Sequence, residues 1–563
     1  MSHNLEIYKS KALEACMGIF NGEYSRSTGI PLPEIDFILP DSTSYNSGEY
    51  YITIGDTWQI HLNFGLLPTD YKDFQEEVKV LTRHEVEHYM CCPFDVITHM
   101  RMVKAILQTY YKYYSSLNIN IIELSSVIGN HVSDIIVDTK NFYRFPDETV
   151  KSEIAWIKKG DFTNFRDIPR HSKLLFLMKE AVWNVSLDIN EKDAALLKLV
   201  NSLAEKFLEG GITATNLFIE KTIQYTHLFF SIFSEDRKEQ QKRNSQQGSG
   251  KNDYSGNQSS LQIIPTKESQ TQGSQFIFES PEKIIDAINQ LAQESSLSDF
   301  IQVLQASNIK LDEKEKEMIW FKAQNSEVIP ISDSVPIGSN DNYSYPATWR
   351  IGDQIEDLDF VLSFSVSPKL IPGLSTKKWV KNPVFNYGID KKNADLLLVL
   401  DYSGSMKTIT DPAHNLHHVV IAAFGIIKYF EKKYSKIALI TFSDQVVESL
   451  LWSDDYDMIR KKLLTNGRGG TQFPISRIEQ VISQKKSKLV TVVITDGEIR
   501  NLDYTISFFI NYLSQNNKLY LFVQDNKSNI DKYNSLISHG AIVKKAITAE
   551  DIRDSVLNDI AFI

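Results

Sequence analysis

Four apolar runs in the last third of the chain limit its fold more than any other feature. They read LLLVL (396–400), KIALITF (436–442), LVTVVIT (489–495) and KLYLFVQ (518–524). Each is rich in Leu, Ile and Val and lacks the polar alternation of a half-exposed strand, so each reads as a strand buried on both faces. Helical stretches stand between them at 416–434, 455–464 and 474–484, and a short strand (541–543) and a last helix (549–560) follow. Strands alternating with helices predict an α/β domain over 394–563, a parallel sheet with helices on both faces.

The whole chain has 563 residues, more than one core accommodates. Between 234 and 275 the composition turns to Gln, Ser, Asn, Gly and Lys, as in RKEQQKRNSQQGSGKNDYSGNQSS. Such a stretch buries too little apolar surface to offset its ordering entropy, so a disordered linker is expected. Residues 1–233 then form an N-terminal domain, 276–345 a helical connector, and 346–393 a leader to the C-terminal domain. The N-terminal domain reads as mostly helical α+β. A helix (5–20) precedes the strand EIDFIL, framed by Pro33 and Pro40, and YYITI, Gly55-Asp56-Thr57 and WQIHLNF form a hairpin. Helices are expected at 74–90, 97–114, 121–142, 173–186, 192–208 and 215–233, and one at 281–304.

Composition narrows the function. The net charge of −11 argues against a general nucleic-acid or anionic-membrane binder. Three cysteines, Cys16, Cys91 and Cys92, make no disulfide framework and point to a reducing cytoplasm. The opening MSHNLEIYKS has no apolar core and is not expected to be a signal peptide. No apolar run approaches the roughly 18 residues of a membrane helix.

The strand at 396–400 runs into Asp401-Tyr402-Ser403-Gly404-Ser405. In open α/β sheets ligands lie beyond the carboxyl ends of strands. Asp401, Ser403 and Ser405 offer oxygens on one tight turn, Thr471 follows Gly469-Gly470 in a second loop, and Asp496 ends the strand LVTVVIT. Two carboxylates and three hydroxyls are hard donors that suit Mg²⁺. The alternative is a Ser/Gly-rich turn without a metal. These five positions resemble the metal-ion-dependent adhesion site of von Willebrand A domains, an Asp-x-Ser-x-Ser motif with a distant Thr and a distant Asp. The resemblance covers about the last 170 residues. It implies a Rossmann-like fold and a Mg²⁺ that takes an acidic side chain of a partner protein without performing chemistry. The preceding segment 349–379 resembles a leader found in prokaryotic proteins that often pair with MoxR-type AAA+ ATPases, which implies such a partner by analogy.

His84-Glu85-Val86-Glu87-His88 lies within the helix expected at 74–90. Positions i and i+4 share a helix face, so both imidazoles can meet one ion, with Glu85 placed to deprotonate a water. The pattern resembles the short His-Glu-x-x-His signature of zincins, which implies zinc on His84 and His88 and Glu85 as general base for peptide-bond hydrolysis. The longer metzincin form is absent, since Cys91 and Phe94 stand where its Gly and third His would be. The helix at 121–142 carries Asn130, His131, Asp134 and Asp138. Asp134 is the favoured third ligand, with Asp138 and His131 as alternatives. This stretch resembles the Asn-x-x-x-Asp helix of a metallopeptidase family often fused to a von Willebrand A-like domain. It also resembles the gluzincin helix, except that His131 stands where the Glu ligand is expected. The bland reading is a surface helix with a solvated polar face, and a purely structural zinc site lies between the two.

Other signals are weaker. His414, His417 and His418 start a helix and are expected to cap or pack. Cys91 and Cys92 are expected to pack. Gly467–Gly470 lacks the Lys-Ser/Thr of a phosphate loop, and no Walker A motif is present, so any ATP-driven step belongs to a partner. The joint expectation is a cytoplasmic, partner-recruited zinc metallopeptidase acting on a protein or peptide. The competing class is an adaptor that presents a client and cuts nothing.

Overall fold

The computed structural model describes residues 2–24, 34–38, 50–54, 58–63, 71–159, 169–189, 191–246, 281–307, 309, 311–324, 343–350, 353, 357–367, 369–381, 394–485, 489–523 and 530–545. The chain divides into two units, Met1–Gln324 and Asn325–Ile563. Among the described residues no helix is long and apolar enough to cross a membrane.

The first unit opens with α1 (Ser2–Ile19), which passes into a π-helical turn, Phe20–Tyr24. Strands β1 (Glu34–Ile38), β2 (Tyr50–Ile54) and β3 (Trp58–Asn63) form a sheet in the order β1-β3-β2. The expected hairpin is β2–β3, antiparallel with Ile54 opposite Trp58, while β1 joins β3 in parallel. The hairpin tip, 55–57, lies outside the described residues. Seven helices follow: α2 (Tyr71–Met90), α3 (Val96–Tyr113), α4 (Ile121–Arg144), α5 (Pro146–Lys159), α6 (Arg170–Trp183), α7 (Ala194–Leu208) and α8 (Phe218–Gln246). α4 is the hub and packs against α2, α3, α5, α6 and α8. Its Ile128, Val132, Ile135, Ile136 and Val137 are all fully buried, which fits a helix apolar on several faces. Each such side chain contributes about 1.5–3 kcal/mol of burial energy. Asp134 and Asp138 are buried on the same helix. Buried carboxylates are costly unless partnered, so they mark the place where α4 is built for more than packing.

Two boundaries differ from expectation. α8 continues past Ser234 to Gln246, inside the stretch read as linker. The Asp236 carboxylate accepts from Arg170 Nε at 2.7 Å and from His171 Nδ1 at 2.8 Å, which ties the extension to α6. The Arg, Lys, Glu and Gln beyond it are good helix formers, so low hydrophobicity there marks a helix end. Residues 247–280, the rest of the expected linker, lie outside the described residues. The supposed connector is α9 (Pro281–Glu294), α10 (Leu297–Ala306) and α11 (Glu313–Ala323), and it belongs to the first unit. α9 and α10 pack on α3. Arg101 Nε donates to Glu294 Oε2 at 3.0 Å, and Ser126 Oγ donates to the Ala306 carbonyl at 3.1 Å. The helix expected at 281–304 is two, because the Ser296 hydroxyl accepts from Asp299 N at 3.1 Å and starts a new helix.

In the second unit the leader is itself a small antiparallel sheet, β4 (Tyr343–Thr348), β5 (Leu358–Asp359) and β6 (Lys377–Lys381) in the order β4-β6-β5, with α12 (Phe360–Val366) between β5 and β6. The larger sheet comprises β7 (Asp395–Asp401), β8 (Ile437–Phe442), β9 (Val446–Ser453), β10 (Leu489–Thr495), β11 (Lys518–Val523) and β12 (Ile542–Lys545). Its order is β12-β11-β10-β7-β8-β9, all parallel except the antiparallel edge strand β9. β8 and β10 are buried at every residue. The helices are α13 (Asn415–Lys432), α14 (Tyr456–Leu463), α15 (Ile475–Ile482), α16 (Leu502–Ser514) and α17 (Asn534–Ser538). The pattern did not single out β9 or α16. β9, VVESLLWS, mixes Glu and Ser into a half-buried edge, and α16 is rich in β-branched and aromatic residues that weaken a helical signal. The helix expected at 549–560 lies outside the described residues. This is the expected von Willebrand A-like α/β arrangement. From β7 the chain crosses to β8 on one side and later to β10 on the other, so the loops after β7, β8 and β10 meet at the switch point.

The revised boundary has a direct consequence. If a protease site is inserted between 247 and 280 and cut under native conditions, the fragment beginning with α9 should co-elute with α1–α8 on size exclusion. Separation of the two without denaturant would contradict the assignment of α9–α11 to the first unit.

Candidate metal sites

In the first unit two pairs spaced by one helical turn face each other: His84 and His88 on α2, Asp134 and Asp138 on α4. His84 Nδ1 lies 2.6 Å from Asp138 Oδ1, and His88 Nε2 lies 3.5 Å from Asp134 Oδ1. Rising numbers on α2 therefore meet falling numbers on α4, and the helices are antiparallel at this contact. All four side chains are buried, which rules out the reading of α2 as a surface helix with a solvated polar face.

The hydrogen bonds fix the histidine tautomers. His88 Nδ1 lies 2.8 Å from the Cys92 carbonyl oxygen, which can only accept, so His88 Nδ1 carries the proton. Asp138 Oδ2 accepts from the Lys179 ammonium at 2.5 Å, which favours the ionised carboxylate, and Asp138 Oδ1 then accepts from His84 Nδ1. With both Nδ1 atoms donating, the neutral rings turn their Nε2 lone pairs toward each other at 3.1 Å. Asp134 Oδ1 stands 3.9 Å from His84 Nε2 and 3.5 Å from His88 Nε2. Three electron-rich atoms converge where only a cation or an extra proton can sit between them. Tetrahedral zinc at about 2.0–2.1 Å from its ligands would space them about 3.3 Å apart. The donor set fits zinc. Among the described residues this is the only group of three His, Cys, Asp or Glu side chains placed to hold a metal.

Neither alternative third ligand takes that position. Asp138 stands behind His84, on Nδ1. His131 turns its Nδ1 to the Tyr225 hydroxyl at 2.9 Å, and burial pushes its pKa down to about 3. Glu85 is buried next to His84 on α2. The flank of α2 beside the histidines is clamped. Arg83 pairs with Glu23 at 2.8 Å and Glu148 at 2.5 Å, and Glu87 with Lys140 at 2.5 Å and Arg144 at 3.0 Å. Sequence reasoning missed Lys179, which joins Asp138 to Glu153 at 3.1 Å. Its one signal was a lysine inside the apolar run LLFLMKEAVW of α6. Cys91 and Cys92 are buried free thiols, as expected, and burial pushes Cys92 up to about 12.

In the second unit the loop after β7 carries Asp401, Ser403 and Ser405. Asp401 Oδ1 accepts from Ser403 N at 2.8 Å, Ser403 Oγ lies 3.0 Å from Ser405 Oγ, and Ser405 Oγ donates to Asp496 Oδ2. The structure thus joins four of the five expected positions in one polar chain. Thr471 is buried in the adjoining loop, which is pinned by Gly404 N donating to the Gly469 carbonyl at 2.8 Å. Asp401 has its pKa raised to about 6, first by burial and then by the Asp496 charge, against a hydrogen bond from Thr495 Oγ1 at 2.7 Å. Two buried carboxylates and neighbouring hydroxyls form a hard oxygen set that fits Mg²⁺. Of the nearby histidines, His414 Nδ1 lies 2.9 Å from Thr408 Oγ1, His417 Nδ1 donates to the Ile409 carbonyl at 2.6 Å, and His418 Nε2 to the Pro412 carbonyl at 2.9 Å.

No protein-family model and no curated protein matches the chain. Among solved structures, its C-terminal part is similar to an aerotolerance-related membrane protein from Bacteroides fragilis, at 14% identity over 30% of this chain and 100% of that chain, with a TM-score of 0.25. A conserved hypothetical protein, BatB from Bacteroides thetaiotaomicron, matches at 12% identity over 30% of this chain and 100% of that one, with a TM-score of 0.25. The pilus adhesin SpaC from Lactobacillus rhamnosus GG matches at 15% identity over 31% of this chain and 30% of the adhesin, with a TM-score of 0.26.

The raised Asp401 pKa sets a pH dependence. A carboxyl at about 6 holds its proton below that pH, where the proton competes with the cation. Mg²⁺ affinity should be level above pH 7 and fall about fourfold between pH 7.5 and 5.5 from this group alone. Thr495→Val, which removes a bond favouring the carboxylate, should move the fall to higher pH. Calorimetric Mg²⁺ titrations that show no pH dependence in this range would contradict the assignment.

Proposed function

We propose that the first unit is a zinc-dependent peptidase and that the second recruits a partner protein through Mg²⁺. The observation that supports the first half is the pair of imidazoles with both Nδ1 atoms engaged from behind and both Nε2 atoms aimed at Asp134. That arrangement presents ligand atoms next to Glu85, the residue after His84, to which we assign the acid–base work.

His84, His88 and Asp134 would hold the zinc. When bound, zinc supplies Lewis acidity, lowering the pKa of water and polarising a carbonyl. The Glu85 carboxylate takes the proton from the attacking water and passes it to the leaving amine nitrogen. Asp138 and the Cys92 carbonyl hold the imidazoles in one tautomer and one orientation throughout. The Arg83 and Glu87 ion pairs keep α2 from rolling, so Glu85 keeps its aim.

In the second unit, Asp401, Ser403, Ser405, Thr471 and Asp496 would hold Mg²⁺ and leave a coordination position for a partner carboxylate. A MoxR-type AAA+ ATPase in the cytoplasm is the partner class that the sequence resemblance favours. The simplest combined role is a peptidase brought to its protein substrate by docking.

Glu85→Gln should lower peptide hydrolysis by about 10²- to 10⁴-fold while zinc content stays at the wild-type level. Unchanged cleavage by that variant would exclude Glu85 as the base. Asp401→Ala, or EDTA with the wild type, should remove the same partners from a native pull-down. Identical captures in all conditions would exclude docking through the ion.

A further inference from the structure

Beside the Mg²⁺ loop, Asp444 follows β8 and Arg500 follows β10, and the two side chains close over Gly469 and Gly470. A Cβ on Gly469 would stand 2.5 Å from Asp444 Oδ2. One on Gly470 would stand 2.5 Å from Asp444 Oδ1 and 2.7 Å from Arg500 Cζ. The two glycines before Thr471 thus leave room for the Asp444 and Arg500 side chains against the loop. Arg500 is anchored there by its own backbone, whose N–H donates to the Thr471 carbonyl at 3.0 Å.

The guanidinium is only lightly held. Arg500 Nη1 donates to Asp444 Oδ1 at 3.4 Å, with the side chains 68% and 53% exposed. An exposed pair of that length contributes little. A guanidinium has five N–H donors in a fork suited to carboxylates, so a second carboxylate can share it. Lys407 and Arg468, on the loops that adjoin Ser405 and Gly469, are exposed as well, so with Arg500 three cationic side chains stand against the exposed carboxylates of Asp444 and Glu498.

Spacing selects the visitor's shape. The guanidinium rests on Gly470, the residue before Thr471, and consecutive Cα atoms are about 3.8 Å apart, so it is a near neighbour of an ion held by the Thr471 hydroxyl and within reach of a second carboxylate on the same short peptide. Side chains i and i+2 of an extended strand point the same way about 7 Å apart. We propose that the partner's docking segment is an extended acidic-x-acidic peptide, with one carboxylate on the Mg²⁺ and the other on Arg500. This rests on the docking reading above and specifies its ligand.

The test uses the full chain with Mg²⁺ and three dye-labelled peptides, Gly-Ser-Glu-Ala-Glu-Ser-Gly, the same with the second Glu replaced by Gln, and one with the two Glu three residues apart. Fluorescence anisotropy should show the first binding about fivefold more tightly than the other two, and Arg500→Gln should bring that ratio to one. Mg²⁺-dependent binding, lost in Asp401→Ala, with equal affinity for all three peptides would overturn the Arg500 inference and leave docking standing. A preference that survives Arg500→Gln would overturn it too. Absence of any Mg²⁺-dependent binding would sink the docking reading and this inference with it.

Discussion

The first unit depends on one interaction, the opposition of two imidazole lone pairs inside the protein. His84 and His88 each spend their Nδ1 proton on a fixed acceptor, the Asp138 carboxylate and the Cys92 carbonyl. Their Nε2 atoms are then acceptors facing at 3.1 Å, with a carboxylate oxygen of Asp134 beside them. Water could satisfy one such group, but three convergent acceptors in a buried space call for positive charge. The surroundings follow from that need. α4 lies at the centre of the helical unit because it must bring Asp134 and Asp138 to α2. Lys179 is buried on α6 because the second carboxylate needs a counter-charge. The ion pairs of Arg83 and Glu87 on the adjoining flank of α2 hold the helix in one rotation.

The second unit applies the same electrostatics with harder atoms. Asp401 and Asp496 end neighbouring strands of a parallel sheet, and strand pairing forces their carboxylates together. Burial, and then the Asp496 charge, raise Asp401 toward 6. Hydroxyls rather than imidazoles surround it, so the preference shifts from zinc to Mg²⁺. The loop geometry that gathers these oxygens also gathers Asp444 and Arg500, because all of them follow strands meeting at one switch point.

Much of this was legible in the residues. The continuous apolar runs gave β7, β8, β10 and β11 because strands buried on both faces carry no competing period. The candidate site residues were legible because their spacing is chemical: i and i+4 on a helix, or alternate positions on a turn. What stayed hidden was set by tertiary contact. Resemblance favours Asp134 over Asp138 and His131, but which turn of α4 lies opposite Nε2 rather than Nδ1 is set by packing. Lys179 reads as an ordinary helix residue until α6 is packed. The polar stretch after Ser234 reads as linker by composition, yet Asp236 finds Arg170 and His171, and the helix continues. α9–α11 looked like a connector because sequence order gives no hint that the chain returns to α3.

The most direct test of the account is the zinc content and coordination of the purified full-length chain, loaded with zinc and dialysed, beside His84→Ala. The account predicts about one zinc per chain, with an X-ray absorption spectrum showing imidazole and oxygen ligands at about 2.0–2.1 Å and loss of the bound metal in the variant. A wild-type chain that retains no zinc, or a His84→Ala chain that retains as much, would contradict it.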